Sequence, residues 1–405
     1  MDKHPEVIWR LSQYATTYGE PGAEISHFEI SRRLPKSEFQ VIIFAADFNH
    51  WLRKRCRNYK GLYKREEIDG ASFVWIRTFP YKSNNYKRML NWFSYFANVL
   101  LISPFIRPKP GIVYASSPHL LVGAAGWLLA KIYGAKFVFE VRDLWPQSLV
   151  DLGGYLEKSS IIRALYRLEK FLYKKADRIV VLLPDAGRYI SKLGIPEVKI
   201  TWLPNGVSLD NFKRTAAPKT GKFTVMYAGS HGLANGLDTL IKAAKILQDR
   251  NISDVRFELV GDGPDKKHLM EASKSLGLEN VIFSDPVPRD AIPGVLAEAT
   301  AFFFSLKSAG VFKYGLSSNK LLDYLASGRP IIFACDSESN LVKEAGAGIS
   351  IPPDNPAELA DAVIKLLKMT DEQRAGMAQK ALDFVKKYDY SVLAEKTRAV
   401  FLKLI

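Results

Sequence analysis

The sequence predicts an α/β protein with two doubly wound parallel-sheet domains facing a cleft. Three observations carry that expectation. A chain of 405 residues is too long for one ordinary domain and suits two of about 200 each. Short runs rich in β-branched and aromatic residues alternate with helical patterns along the whole chain. That alternation restarts after ITWLPNGVSLDNF (200–212), which places a joint near PNGV (204–207). With 47% apolar and 24% charged residues, the composition supports sizeable cores.

In chain order, MDKHPEVIWR is not read as a signal peptide, because no apolar stretch follows its charges. YGEPGAE (18–24) supplies a glycine loop, with Gly22, near the first helix. Strands are expected at QVIIFAA (40–46), SFVWIRT (72–78), GIVYAS (111–116), KFVFEV (136–141) and RIVVLL (178–183). ADFNHW (46–51) sets His50 just after the first of these. Helices are expected at LLVGAAGWLLAKIYG (120–134) and SSIIRALYRLEKFLYKKA (159–176), the latter with Ser at its N-cap and Lys at its end. The second series has strands at FTVMYAG (223–229), VRFELVG (255–261), VIFS (281–284), AFFFSL (301–306) and PIIFAC (330–335). Mostly apolar strands alternating with helices imply parallel sheets covered on both faces. The residues alone do not say where the last helix, from about 389 to 405, packs.

MLNWFSYFANVLLISPFI (89–106) comes nearest to a membrane span, but Asn91, Ser94, Asn98, Ser103 and Pro104 interrupt it. Asn91, Ser94 and Asn98 share one helical face, so an amphipathic helix is expected. Packing on a sheet is favoured over lying in a bilayer surface. Charge is uneven. The net charge is +15, and residues 1–205 hold 31 Lys and Arg against 18 Asp and Glu. Residues 51–109 alone hold 13 basic and 3 acidic residues. Such a field concerns partners rather than fold: nucleic acid, an anionic membrane surface or a phosphate-bearing substrate. Cys56 and Cys335 are the two cysteines; they have no metal-ligand spacing and imply a reducing compartment.

Ligands of doubly wound sheets bind beyond the strand C-termini, so strand-to-helix loops are the candidates. MYAGSHGLANGLDTLIKAA (226–244) and ELVGDGPDKKHLMEA (258–272) each run strand, glycine loop, helix, with Gly229, Ser230 and Asn235 in the first and Gly261 and Gly263 in the second. Neither is a Walker A loop or a first-strand Rossmann fingerprint. GVFKYGLSSNKLLDYLASGRP (310–330) is the third, where Gly315, Leu316, Ser317, Ser318, Asn319 and Lys320 lead into a helix carrying Asp323. Free N–H groups at a helix start suit a phosphate, and a carboxylate suits the vicinal hydroxyls of a ribose. Three such loops in one domain favour a nucleotide. In the first domain FEVRDLWPQS (139–148) ends a strand with Arg142 and Asp143, a charged pair that is either catalytic or a structural ion pair.

Together GVFKYGLSSNKLLDYLASGRPIIF, YAGSHGLANGLDTL, LVGDGPDKKHL, FEVRDLWPQSLVDLGG and WLPNGVSLDNF resemble the retaining glycosyltransferases of family 4. The closest likeness is to bacterial enzymes of O-antigen, capsule and exopolysaccharide assembly, including the fucosamine-transferase-like branch. The resemblance implies a GT-B fold: an acceptor-binding Rossmann-like domain (1–205), a nucleotide-sugar-binding Rossmann-like domain (206–388), and a C-terminal helix (389–405) crossing back to the first. It implies a nucleotide-diphosphate donor, uridine by branch, and a polyprenyl-linked or saccharide acceptor. It places Gly229, Ser230, Asn235, Gly261, Gly263, Val287 and Asp323 at the nucleotide and residues 315–320 at the phosphates and sugar. Arg142 and Asp143 become the catalytic pair, and Gly22 and His50 mark acceptor-side loops.

This chain departs from the family's pattern at three points. Gly315 stands where a sugar-binding Glu is expected. Ser230 and Asn235 stand at or near the phosphate-binding Arg and Lys; Lys320 or Arg142 could replace those charges. Arg142 occupies a position that is often His, and its fixed, forked charge suits a pyrophosphate or carboxyl. The absence of a DxD-like motif predicts metal independence. The implied place is cytoplasmic, peripheral on the inner face of the plasma membrane, with residues 51–109 on anionic lipid. Two other classes remain in play: a nucleic-acid-binding protein, which shows no recognised signature, and a GT-B-like nucleotide binder without catalysis.

Overall fold

The computed structural model describes residues 4–19, 24–83, 85–117, 119–212 and 221–405. The chain divides into two compact units, Met1–Asn205 with Tyr390–Ile405, and Gly206–Asp389.

The first unit is built on one sheet of eight strands: β1 (Glu6–Leu11), β2 (Phe39–Ala46), β3 (Tyr63–Ile68), β4 (Ala71–Ile76), β5 (Ile112–Ser116), β6 (Lys136–Val141), β7 (Arg178–Val181) and β8 (Ile200–Trp202). Their order across the sheet is β8-β7-β6-β5-β1-β2-β4-β3. The central strand β1 is absent from the runs named above, because Glu6 and Arg10 break its apolar pattern. Arg10 is nonetheless buried: its guanidinium lies 4.4 Å from the Tyr114 ring and donates to the Ser31 hydroxyl at 3.3 Å. The sheet is not wholly parallel, as the alternation had implied. β3 pairs antiparallel with β4 through a two-residue Asp69-Gly70 turn, with φ of 45° and 80°. Asp-Gly between two strands is the usual signal for such a hairpin. The last helix, Tyr390–Leu402, packs within this unit. Phe401 meets the rings of Phe39 and Tyr114, and Arg398 grips the Glu38 carboxylate with two bonds of 2.7 and 2.8 Å.

The second unit carries β9 (Phe223–Ala228), β10 (Val255–Val260), β11 (Val281–Ser284), β12 (Ala301–Ser305), β13 (Ile331–Ala334) and β14 (Gly348–Ile351). All pairs are parallel, in the order β11-β10-β9-β12-β13-β14. Both faces are covered, as the continuous apolar runs require. Along β12, Phe302 and Phe304 enter one core with Tyr324 and Phe333, while Phe303 enters the other with Tyr227 and Leu240. From β9 the chain winds out to β10 and β11, then returns to β12 on β9's other side. That reversal is where a doubly wound sheet opens a crevice beyond its strand ends.

Candidate functional site

At that reversal three loops are locked together. The loop after β9 lies against the loop after β10, with the His231 amide donating to the Asp262 carbonyl at 2.9 Å and the Asp265 amide to the His231 carbonyl at 3.0 Å. Gly263 is required here: a Cβ would stand 2.6 Å from the His231 carbonyl carbon, and one on Gly261 would strike the Gly229 carbonyl oxygen. The glycines expected to admit a ligand therefore admit the neighbouring loop. Lys266 secures the arrangement by donating to the carbonyls of Gly261 (2.9 Å) and Ser284 (3.2 Å).

Lys320 supplies the cation. Its Nζ donates to the Asn235 side-chain oxygen and to the Tyr227 hydroxyl, both at 2.8 Å, and stands over the Tyr227 ring at 4.5 Å. Asn235 in turn donates to the Ser230 carbonyl at 3.0 Å. The Lys320 amine thus reaches position 235 from across 85 positions of the chain. Burial pushes the Lys320 amine down to about 7, so near neutral pH it is poised to take up a proton when an anion arrives.

Asn319–Ser327 is helical, and its cap residue Ser318 gives no side-chain hydrogen bond to the first turn. The N–H groups there remain for another acceptor. The buried Asn319 side-chain oxygen has no partner. Asp323 lies in the second turn, 3% exposed. Both its oxygens accept from the Arg289 guanidinium, one at 2.7 Å. Burial raises its pKa and Arg289 opposes the rise. The sequence assigns the Asp323 carboxylate to the vicinal hydroxyls of a ribose; in the fold it also accepts from Arg289. Arg289 follows β11 in the loop that also carries the partly buried Val287. Gly315 has φ 92° and ψ −178°, a conformation essentially confined to glycine, so a glutamate here is strained.

In the first unit Arg142 follows β6. It is partly buried, with its Nε 3.4 Å from a Glu24 oxygen and Nη2 3.3 Å from the Asn205 side chain. Burial raises the Glu24 pKa, and Arg142 is the strongest opposing influence. Arg142 makes its short ion pair with Glu24, while Asp143, exposed beside it, acts on it only through the field of its charge. Gly22 lies outside the described residues. His50 bonds the Tyr81 hydroxyl through Nδ1, and burial, helped by Arg88 and Arg53, lowers its pKa to about 4, so it is neutral at physiological pH. It lines a small, open pocket with Tyr14, Asp47, Asn49, Trp51 and Trp75 among its walls. Sequence reasoning missed Glu24, Arg289 and His231. His231 is 0% exposed with both ring nitrogens unpartnered, and burial lowers its pKa to about 4. Glu24 and His231 lie within stretches quoted above but were not singled out, and Glu24 and Arg289 meet their partners, Arg142 and Asp323, only across the fold. Among the described residues no group of three or more His, Cys, Asp or Glu is placed to hold a metal ion.

A mostly parallel α/β unit followed by a wholly parallel one, with three interlocked loops at the second sheet's reversal, has the GT-B architecture. Two family models agree with that. Residues 22–206 match "Glycosyl transferase 4-like domain" and residues 222–369 match "Glycosyl transferases group 1". The chain belongs to the GT-B glycosyltransferases. It is 23% identical over 330 residues to the putative colanic acid biosynthesis glycosyl transferase WcaI of Escherichia coli, covering 75% of this chain and 78% of that one. It is 24% identical over 294 residues to the probable glycosyltransferase WbjE of Pseudomonas aeruginosa, covering 69% and 71%. Among solved structures it resembles sucrose-phosphate synthase of Thermosynechococcus elongatus, with a TM-score of 0.77, 16% identity and coverage of 98% and 99%. It also resembles Anabaena HepE in complex with UDP-glucose, with a TM-score of 0.68, 15% identity and coverage of 98% and 100%.

Proposed function

We propose that this protein transfers a sugar, with retention of configuration, from a uridine diphosphate donor to a lipid-linked or saccharide acceptor in cell-surface polysaccharide assembly, as a family 4 glycosyltransferase. The carrying observation is Lys320, whose amine reaches Asn235 at 2.8 Å within the loops expected to hold a nucleotide sugar. The relatives' names, colanic acid biosynthesis among them, and the UDP and UDP-glucose complexes of a fold neighbour support this reading.

In this reading Gly206–Asp389 holds the donor. The phosphates lie between Lys320 and the amides of Gly315, Leu316, Ser317, Ser318 and Asn319, and the nucleoside lies along Gly229, Ser230, Gly261, Gly263 and Val287. Asp323 meets the ribose after exchanging one of its Arg289 bonds. Charge that develops on the leaving phosphate is met by Lys320 and the uncapped helix N-terminus, which are already in place and need little reorganisation. The departing phosphate helps deprotonate the acceptor on the same face. The first unit holds the acceptor, with His50 at its pocket and Arg142, fixed by Glu24, presenting charge to an anionic group. The reaction needs no metal, and the protein works at the cytoplasmic face of the plasma membrane with no nucleic-acid partner.

A thermal-shift screen against nucleoside diphosphates and their sugars tests the donor site; stabilisation by uridine diphosphate is expected, and none by any nucleotide would sink the reading. Turnover of a stabilising sugar nucleotide, with the anomer assigned by proton NMR, tests catalysis and retention. Lack of turnover despite tight binding would favour a non-catalytic binder.

A further inference from the structure

The helix Tyr86–Ile102 turns its polar side chains inward. Asn91, 1% exposed, donates to the Phe79 carbonyl at 2.7 Å and accepts from Gln13 at 2.6 Å. The Ser94 hydroxyl accepts from the Phe79 amide at 2.8 Å, and Asn98 donates to the Arg77 carbonyl at 2.6 Å. With Tyr95, Val99 and Ile102 they anchor the helix to the sheet. Beyond Lys87 and Arg88 at its start, the side chains it leaves to solvent are apolar. Met89, Leu90, Phe93 (51% exposed) and Leu101 form one stripe at helical spacing, and Phe105 (73%) extends it past the helix end. A helix that covers a domain normally does the reverse, and a contiguous exposed apolar face of this kind marks an interaction surface.

Charge selects the occupant. No Asp or Glu occurs between Asp69 and Glu140. Exposed Lys82 and Lys87 sit at one end of the stripe and exposed Arg107 at the other. A second copy of the chain would present the same cationic rim and be repelled. An anionic bilayer offers both an apolar interior and opposite charge. Among the described residues no helix is long and apolar enough to cross a membrane, so this one would lie in the interfacial plane.

We propose that Tyr86–Phe105 is a membrane-docking face that seats the aromatic side chains of the stripe among the headgroups of anionic lipid. The helix also touches the acceptor-side pocket: Trp92 Nε1 donates to the Tyr14 hydroxyl at 2.8 Å, and Tyr14 lines that pocket with His50. Docking would hold the pocket beside the bilayer, where a lipid-linked acceptor lies. This part rests on the proposed transferase function; the lipid surface itself does not.

The test is co-sedimentation of the full chain with vesicles of pure phosphatidylcholine and of phosphatidylcholine with phosphatidylglycerol. Binding is expected only to the anionic vesicles and should weaken with salt. A Phe93→Ser, Leu101→Ser, Phe105→Ser triple variant should bind about tenfold less or weaker still. A Lys82→Ser, Lys87→Ser, Arg107→Ser variant should lose the preference for anionic lipid. Both variants should keep the parent's melting temperature and its shift with uridine diphosphate, so failure of docking is distinct from failure of the donor site. No binding of the parent to anionic vesicles, equal binding by the apolar triple variant, or a parent dimer that the triple variant dissolves would overturn the proposal.

Discussion

Replacing Lys320 with methionine should strengthen the fold and destroy the donor site together. The amine's pKa stands at about 7 instead of 10.5 because burial disfavours its charge. At about 1.4 kcal/mol per pKa unit, a protonated Lys320 costs the donor-free fold up to about 5 kcal/mol. The folded pKa lies below the unfolded one, so between pH 7 and 10.5 the unfolded chain binds more protons and stability rises with pH. The cost is complete below pH 7. Methionine keeps the stem's bulk without the charge. Losing the bonds to Tyr227 and Asn235 takes back about 1–3 kcal/mol. A net gain of about 2 kcal/mol remains near pH 6.5, or roughly 4–8 °C in Tm for a unit of this size. The gain should shrink as pH rises toward 10. Donor binding should move the other way. Removing one charge-assisted contact costs about 3 kcal/mol, or on the order of 100-fold in affinity. The parent's affinity for uridine diphosphate should fall as pH rises from 6.5 to 9, and the variant's should not follow. Thermal melts across pH with and without uridine diphosphate read both effects. A variant that is destabilised at pH 6.5, or that keeps the full nucleotide shift, would refute the reasoning.

Other perturbations follow from the same geometry. Asp323→Ala leaves the Arg289 guanidinium without its main partner and should cost about 3–5 kcal/mol in urea melts, whereas Asp323→Asn should be milder and still lose nucleotide affinity. Gly315→Glu, which restores the family's acid on paper, should cost about 1–3 kcal/mol because of the φ it must adopt and should lower turnover; a gain would show that the loop tolerates the side chain. Glu169 is buried beside the hydroxyls of Tyr173 and Tyr189, and burial lifts its pKa to about 7. Its folded pKa exceeds the unfolded value, so stability falls as pH rises from 4.5 to 7, and Glu169→Gln should gain about 2–3 kcal/mol at pH 8 and little at pH 4.5. Turnover should survive EDTA; loss with EDTA and recovery with manganese would contradict metal independence.

Much of this architecture is legible along the chain. Apolar runs such as AFFFSL and KFVFEV announce strands covered on both faces, and glycine loops after them mark the ligand edge. What is not legible arises from residues far apart in sequence. Lys320 reaches Asn235 across 85 positions, and Arg289 reaches Asp323 across 34; no local pattern encodes either pairing. Arg10 hides β1, because a buried arginine reads as an exposed one until its stacking on Tyr114 is known. The glycines at 261 and 263 were legible as a loop, but not the reason for them, which is backbone packed on backbone. Asn91, Ser94 and Asn98 were legible as one face; that this face points inward depends on carbonyls at Arg77 and Phe79 that only the fold supplies.

The central claim is that a nucleoside diphosphate sits in the interlocked loops of Gly206–Asp389. Hydrogen–deuterium exchange with and without saturating uridine diphosphate tests it directly. The account predicts slowed exchange at 229–236, 261–265 and 315–323, with those changes lost in Lys320→Met. Protection that falls outside these loops, or no protection at all, would contradict it.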